Sequence, residues 1–176
     1  MAAGLSPAVA QATATQPDPT STYIVMPLKR VGVDHKIAAA NGYEVRVDSK
    51  GIEYAVKKGE FATLNELPGE CGSSFVYFTA VDTKKHYTSI YTGYTIRSGW
   101  PGAVYTNWKV GVIDNYGAST KSWNDPSTPT HFWAKSKGFT SSGPGYAYAD
   151  VLLGSIATLA NGTICYSHGP SASAYL

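Results

Sequence analysis

Two alternating runs constrain this chain more than anything else in it. SFVYFTAV (74–81) and HYTSIYTGYTI (86–96) flank Asp82-Thr83-Lys84-Lys85. Apolar and polar residues alternate with a period of two, and a polar cluster breaks them, which predicts an antiparallel hairpin. The pattern recurs. YEVRV and IEYAV flank Asp48-Ser49-Lys50-Gly51, and Asn161-Gly162 separates LLGSIATLA from TICYS (163–167). Both centres carry the Gly or Asn-Gly that tight hairpin turns need. Asn115-Tyr116-Gly117 reverses AVYTNWKVGVID (103–114) into ASTKSW, and THFWAKSKGFT (130–140) lies between Pro- and Ser-rich turns. Short strands with few helical windows predict an all-β fold, an antiparallel sandwich or barrel. A short helix is expected around 34–40, a strand or one helical turn at 61–67, and one long strand over 146–160, with TICYS as the closing strand.

The start of the chain reads as a processing site. Ala8-Val9-Ala10 and Ala10-Gln11-Ala12 fit the small-x-small end of a secretory signal, and TATQPDPTST follows at once. Residues 1–12 are therefore expected to be a residual signal peptide whose basic start lies upstream of the recorded Met1. Residues 13–28 form a flexible leader and an extended segment, and 29–176 one β-rich domain. The expected compartment is extracellular. No stretch approaches the ~18 apolar residues of a membrane span. Cys71 and Cys165 are the only cysteines, and an even count in an exported chain predicts a disulfide between them. Neither belongs to a C-x-x-C, which removes the zinc and thioredoxin-type spacings.

Composition narrows the function classes. Charged residues make up 15% of the chain, against a usual ~25%. Thirteen Tyr, four Trp and eighteen Gly suit pleated, half-buried surfaces. Nucleic-acid binding needs a concentrated basic stripe. Lys57-Lys58 and Lys84-Lys85 are isolated dipeptides at expected strand ends or hairpin tips, so no nucleic-acid partner is expected. The four His show no H-E-x-x-H spacing, and P-loop, dinucleotide and EF-hand patterns are absent. No metal or cofactor is expected. Asn161-Gly162-Thr163 matches a glycosylation sequon that the hairpin turn already explains.

Two kinds of binding site and one kind of active site stand out. Tyr23, Ile24, Val25, Met26 and Leu28 form an apolar extended segment after the leader, suited to adding as a strand to a partner protein or to pairing in its own sheet. Trp100 and Trp123, with Tyr116, sit in expected loops and are candidates for stacking on sugar rings; Trp108, in phase with Val110 and Val112, is expected in the core. The stripes Tyr87/Tyr91 and Tyr146/Tyr148 read as cross-strand pairs. A ribonuclease-like hydrolase would need a Glu, a His and an Arg around a phosphate. Glu44, Glu53, Arg46, Arg97 and His86 are available, although Glu44, Arg46 and Glu53 are expected on the solvent face of the first hairpin.

The AVAQA processing end, the single pair Cys71 and Cys165, the Tyr- and Gly-rich strands and NGTICYS together resemble small secreted β-domain proteins of actinobacteria. Among these the chain is similar in plan to the adaptor subunits of secreted umbrella-shaped toxin particles, which join a disulfide-bearing β-domain to an extended N-terminal segment. The resemblance implies a non-enzymatic, partner-binding role and assigns no functional residue. The leading expectation is a secreted adaptor that binds another protein. A carbohydrate- or cell-wall-binding domain and a small secreted hydrolase are the alternatives.

Overall fold

The computed structural model describes residues 20–60 and 70–176. The expected signal remnant, most of the leader and the element at 61–67 lie outside them. In chain order the elements are β1 Ser21–Val33, α1 His35–Ala40, β2 Tyr43–Val47, β3 Glu53–Lys57, β4 Glu70–Asp82, β5 Tyr87–Ile96, β6 Ala103–Asp114, β7 Gly117–Thr130, β8 Phe132–Thr140, β9 Tyr146–Val151, β10 Ile156–Leu159, β11 Thr163–Ser167 and β12 Ser171–Tyr175. All pairings are antiparallel. The β2–β3 hairpin stands apart as a two-stranded sheet, and every other strand belongs to one continuous ten-stranded sheet.

That sheet folds on itself into a sandwich. One layer runs β11-β1-β4-β5-β8 and the other β12-β9-β6-β7, with β10 joining β11 to β6 at the corner. β6 shares one edge between β10 at its start and β9 at its end, while β7 covers the other edge. Alternation sorts the side chains. Leu28, Val76, Phe78, Ile90 and Tyr94 from the first layer are buried against Trp108, Val110 and Val112 from the second. Where β9 and β12 lie against β4 and β1, the second layer contributes mainly Ala147, Ala149, Ala172 and Ala174, with Val151 at the end of β9. These small residues let the layers approach over the bulk of Phe78 and Val76.

The local signals place most turns where the sequence puts them. Asp48 caps its turn by accepting from Lys50 and Ile52 N–H, both at 2.8 Å. Asp82 accepts from Lys84 and Lys85. Asp34 caps α1, its carboxylate accepting from Lys36 and Ile37 N–H, as an N-cap aspartate does. Gly162 has φ +82°, and a Cβ there would lie 2.4 Å from Asp34 O. The Asn161-Gly162 turn is thus packed beneath the start of α1. Asn161 is itself buried and accepts from Thr163 N–H, so the sequon is a structural turn in the folded chain.

Three expectations need correction. Residues 146–160 are not one strand: β9 ends at Val151, and a turn closed by Ser155 N–H to Leu152 O precedes β10. Gly154, at φ +87°, supplies the reversal that alternation alone conceals. TICYS is not the closing strand, because β12 follows and pairs with β9. The extended segment does not end at Leu28; β1 runs on to Val33 between β4 and β11.

Cys71 and Cys165 are bonded and fully buried. Cys71 sits at the β4 bulge opposite Leu28 and Lys29, and Cys165 lies opposite Arg30 on β11. The bond therefore links the strands on either side of β1. A disulfide-bonded β-sandwich fits an extracellular protein, and no helix among the described residues is long and apolar enough to cross a membrane.

The open side of the sandwich, where β7 faces β8, carries a latch. Asp125 on β7 accepts from the Trp133 indole N–H and from Lys135, both on β8 and both at 3.0 Å. The hydrogen bond from Lys135, then that from Trp133, holds the Asp125 carboxyl below the usual carboxylate range against a smaller opposing effect of burial. A lowered native pKa means the unfolded chain binds the proton more tightly. The stability from this latch is therefore complete above the ordinary carboxylate pKa of about 4 and is lost as pH falls through the lowered native value. Asp125→Asn should lower Tm at neutral pH, and the gap to wild type should close as pH falls below about 4. A gap that stays constant across an acid titration of Tm would refute the assignment.

Candidate functional site

The outer surface of the first layer gathers aromatic side chains from four strands. The register aligns Tyr23 with Tyr77, Tyr91 and Ser136, and Val25 with Phe75, Gly93 and Ala134. Pro27, Ser73, Thr95 and Phe132 form the next row, and Ser21, Thr79, Ser89 and Gly138 the one on the opposite side. None of these positions carries a charge. Phe75 stacks on Phe132 with ring centroids 6.2 Å apart and planes at 10°. It also meets Tyr91 at 5.3 Å and Tyr23 at 5.9 Å, and Tyr23 meets Tyr77 at 6.3 Å. Phe75 is only 5% exposed although it lies on the outer face, because these neighbours close over it. Gly93, directly across from Phe75, lets the β8 backbone approach closely: a Cβ there would lie 2.0 Å from Trp133 O. Tyr23 (58%), Phe132 (52%) and Tyr91 (38%) remain open to solvent around that centre, and Tyr87 extends the surface across Gly138.

The same rings are tied to the core beneath. Trp108 Nε1 donates to Thr92 Oγ1 at 3.0 Å, and the Thr92 hydroxyl donates to the carbonyl of Phe75 at 2.9 Å. Trp108, Tyr94 and Trp133 pack with centroid separations of 5.5–5.8 Å. Burial pushes the Tyr94 hydroxyl up to about 12, so it stays protonated in its 2.5 Å contact with Thr106 Oγ1. This buried polar chain fixes the sheet under the aromatic face rather than offering chemistry to solvent.

The outer face of the second layer differs. Tyr146 and Tyr175 pair edge to face at 5.1 Å, and Tyr148 and Ile113 are exposed beside them. Lys109 and Asp150 share that face, which breaks its apolar character. The tyrosine stripes here and at Tyr87 and Tyr91 do lie on paired strands.

The candidate sugar-stacking residues are not brought together. Trp100 is 5% exposed and belongs to the core, so it offers no stacking face. Trp123 is in β7, not a loop; it lies opposite Trp108 and packs edge to face on Trp133 at 6.1 Å. Tyr116 is exposed at the β6–β7 turn, beside a shallow recess lined by Asp114, Phe139 and Ser141. Burial raises the Asp114 pKa, but hydrogen bonds from the Ser141 hydroxyl and from Tyr116 and Gly117 N–H outweigh it and hold the carboxyl below its ordinary value. Asp114 is accounted for as the cap of that turn.

Among the partner-segment candidates, Leu28 is fully buried and Ile24 packs on the core, whereas Tyr23, Val25 and Met26 are exposed. One backbone edge of this segment is already paired with β4. The hydrolase candidates also separate. Glu44 pairs with Arg46 on β2, Glu53 pairs with His35 at 2.9 Å, and His86 and Arg97 lie just beyond opposite ends of β5. No group of three or more His, Cys, Asp or Glu side chains suited to a metal ion occurs among the described residues. Sequence reasoning missed Phe75, Tyr77 and Phe132 as parts of a site. Phe75 and Tyr77 share β4 while Phe132 lies on β8, and only the cross-strand register joins them to Tyr23 and Tyr91.

No family model matches the chain, and neither the curated proteins nor the solved structures contain a match.

Proposed function

We propose that this chain is a secreted, non-enzymatic binding protein, an adaptor that engages a partner protein through the aromatic face of its first layer. One observation carries the reading: a sheet surface with a Phe75-centred ring cluster and no charge. Aromatic enrichment with charge depletion marks the centre of protein interfaces, and a ring of small polar residues suits the rim. The Ser and Thr positions of the face supply that rim. The rings are mostly tilted to one another, which favours insertion into the contours of a protein over stacking on a flat ligand. Carbohydrate is the second reading, favoured by the tyrosine hydroxyls on an uncharged surface.

Comparative capture from culture supernatant tests both. Wild type should retain a stoichiometric companion, and Phe132→Asp, at an exposed position, should retain at least about tenfold less, the scale of a hot-spot residue. Equal retention by the two removes the face from the function. Retention on insoluble polysaccharide that Phe132→Asp abolishes, without a protein companion, would replace the adaptor reading with the carbohydrate one.

A further inference from the structure

The alternation of backbone groups along β1 leaves part of its edge open. Thr20 O accepts from Ala80 N–H on the β4 side, and Pro27 O accepts from His168 N–H on the opposite side. Even-numbered residues of this stretch therefore pair with β4, and Tyr23 and Val25 aim their N–H and C=O groups away from it. The pairing with β11 begins only at Leu28. Between Ser21 and Pro27 that flank has no ladder partner among the described residues, and Met26, on the core side, stays exposed there.

Other edges among the described residues are blunted in the usual ways. β7 carries Lys121, Pro126 and Pro129, and β8 carries Lys135 and Lys137. The edge of β12 has its Ser173 carbonyl taken by the Thr22 hydroxyl at 2.7 Å. The β2–β3 hairpin bears Glu44, Arg46, Glu53 and Lys57. Ser21 to Pro27 contains no charge, and its proline has its nitrogen at the end where β11 takes over.

We infer that this edge pairs antiparallel with the same edge of a second copy of the chain. A twofold axis beside Ile24 sets Tyr23 of one copy against Val25 of the other. Each Tyr23 N–H then donates to Val25 O across the axis, and each Val25 N–H to Tyr23 O, so the open groups satisfy one another. The absence of charge removes like-charge repulsion across the axis. Tyr23 and Val25 belong to the aromatic face, so pairing joins the faces of both copies into one surface. The inference stands apart from what that surface binds.

Sedimentation of the purified full chain tests it. Wild type should show a concentration-dependent species of twice the chain mass. Val25→Pro removes the outward N–H and leaves the bonds to β4, which run through its neighbours; it should weaken self-association at least about tenfold. Val25→Lys, at an exposed site, should do the same by charge repulsion across the axis, and serves if the proline variant fails to fold by circular dichroism. A wild type that is monomeric at every concentration overturns the inference, even if an unrelated extended peptide binds the edge. Self-association unchanged in a folded Val25 variant overturns it as well.

Discussion

Replacing both Cys71 and Cys165 with Ala should lower Tm by about 5–20 °C, the shift expected when a domain of this size loses about 2–5 kcal/mol. The two residues are 94 apart in sequence. Closing so long a loop restricts the unfolded chain by about 4–5 kcal/mol in the chain-entropy model, the upper end of that range. Position adds a second reason. The bond spans β1, so without it the two neighbours of that strand are held only by their ladders. Both sulfurs are buried at a bulge and a strand interior, and Ala fills each site without adding a polar group. The measurement is a thermal melt of the double variant beside wild type, with and without reductant. A double variant that melts with wild type would show that the ladders alone hold β1.

Trp108→Ala should cost about 3–5 kcal/mol, the range for truncating a large buried aromatic. Trp108 is fully buried, flanked by Tyr94 and Trp133, and its indole N–H is the donor that satisfies Thr92. Truncation opens a cavity between the layers and leaves the Thr92 oxygen without that donor. Trp108→Phe separates these effects: it keeps most of the apolar volume, loses only the donor, and should cost about 1–3 kcal/mol. Urea unfolding of the three proteins gives both numbers. Equal midpoints for Trp108→Phe and wild type would show that the Thr92 bond contributes little.

Local chemistry was legible in the sequence, and non-local pairing was not. The turns at Asp48–Gly51, Asp82–Lys85 and Asn161-Gly162 could be read because capping Asp side chains and Asn-Gly act within a few residues. The helix at 35–40 was readable for the same reason. The break between β9 and β10 was hidden because it rests on Gly154 inside an apolar run. Trp123 was misplaced into a loop because Asn124-Asp125-Pro126 looks like a turn, although on an edge strand Pro126 interrupts nothing that its partner needs. The aromatic face was illegible for a deeper reason. Tyr23, Phe75, Tyr91 and Phe132 lie on strands that meet only once β1 joins β4 and β8 joins β5, and no periodicity within one strand reports that.

The position of β1 also bears on how the molecule comes together in time. The first strand of the sandwich is completed on one flank by β11, which is among the last to be made, and the disulfide closes over the same junction. A chain emerging N-terminus first, on a ribosome or through a translocation pore, can form its hairpins and pair β1 with β4 early but cannot complete the β11 flank of β1 until the final segments arrive. Such long-range pairing belongs to the slow end of folding, milliseconds to seconds. Oxidation of the cysteines would then report arrival at the finished architecture rather than guide the route to it.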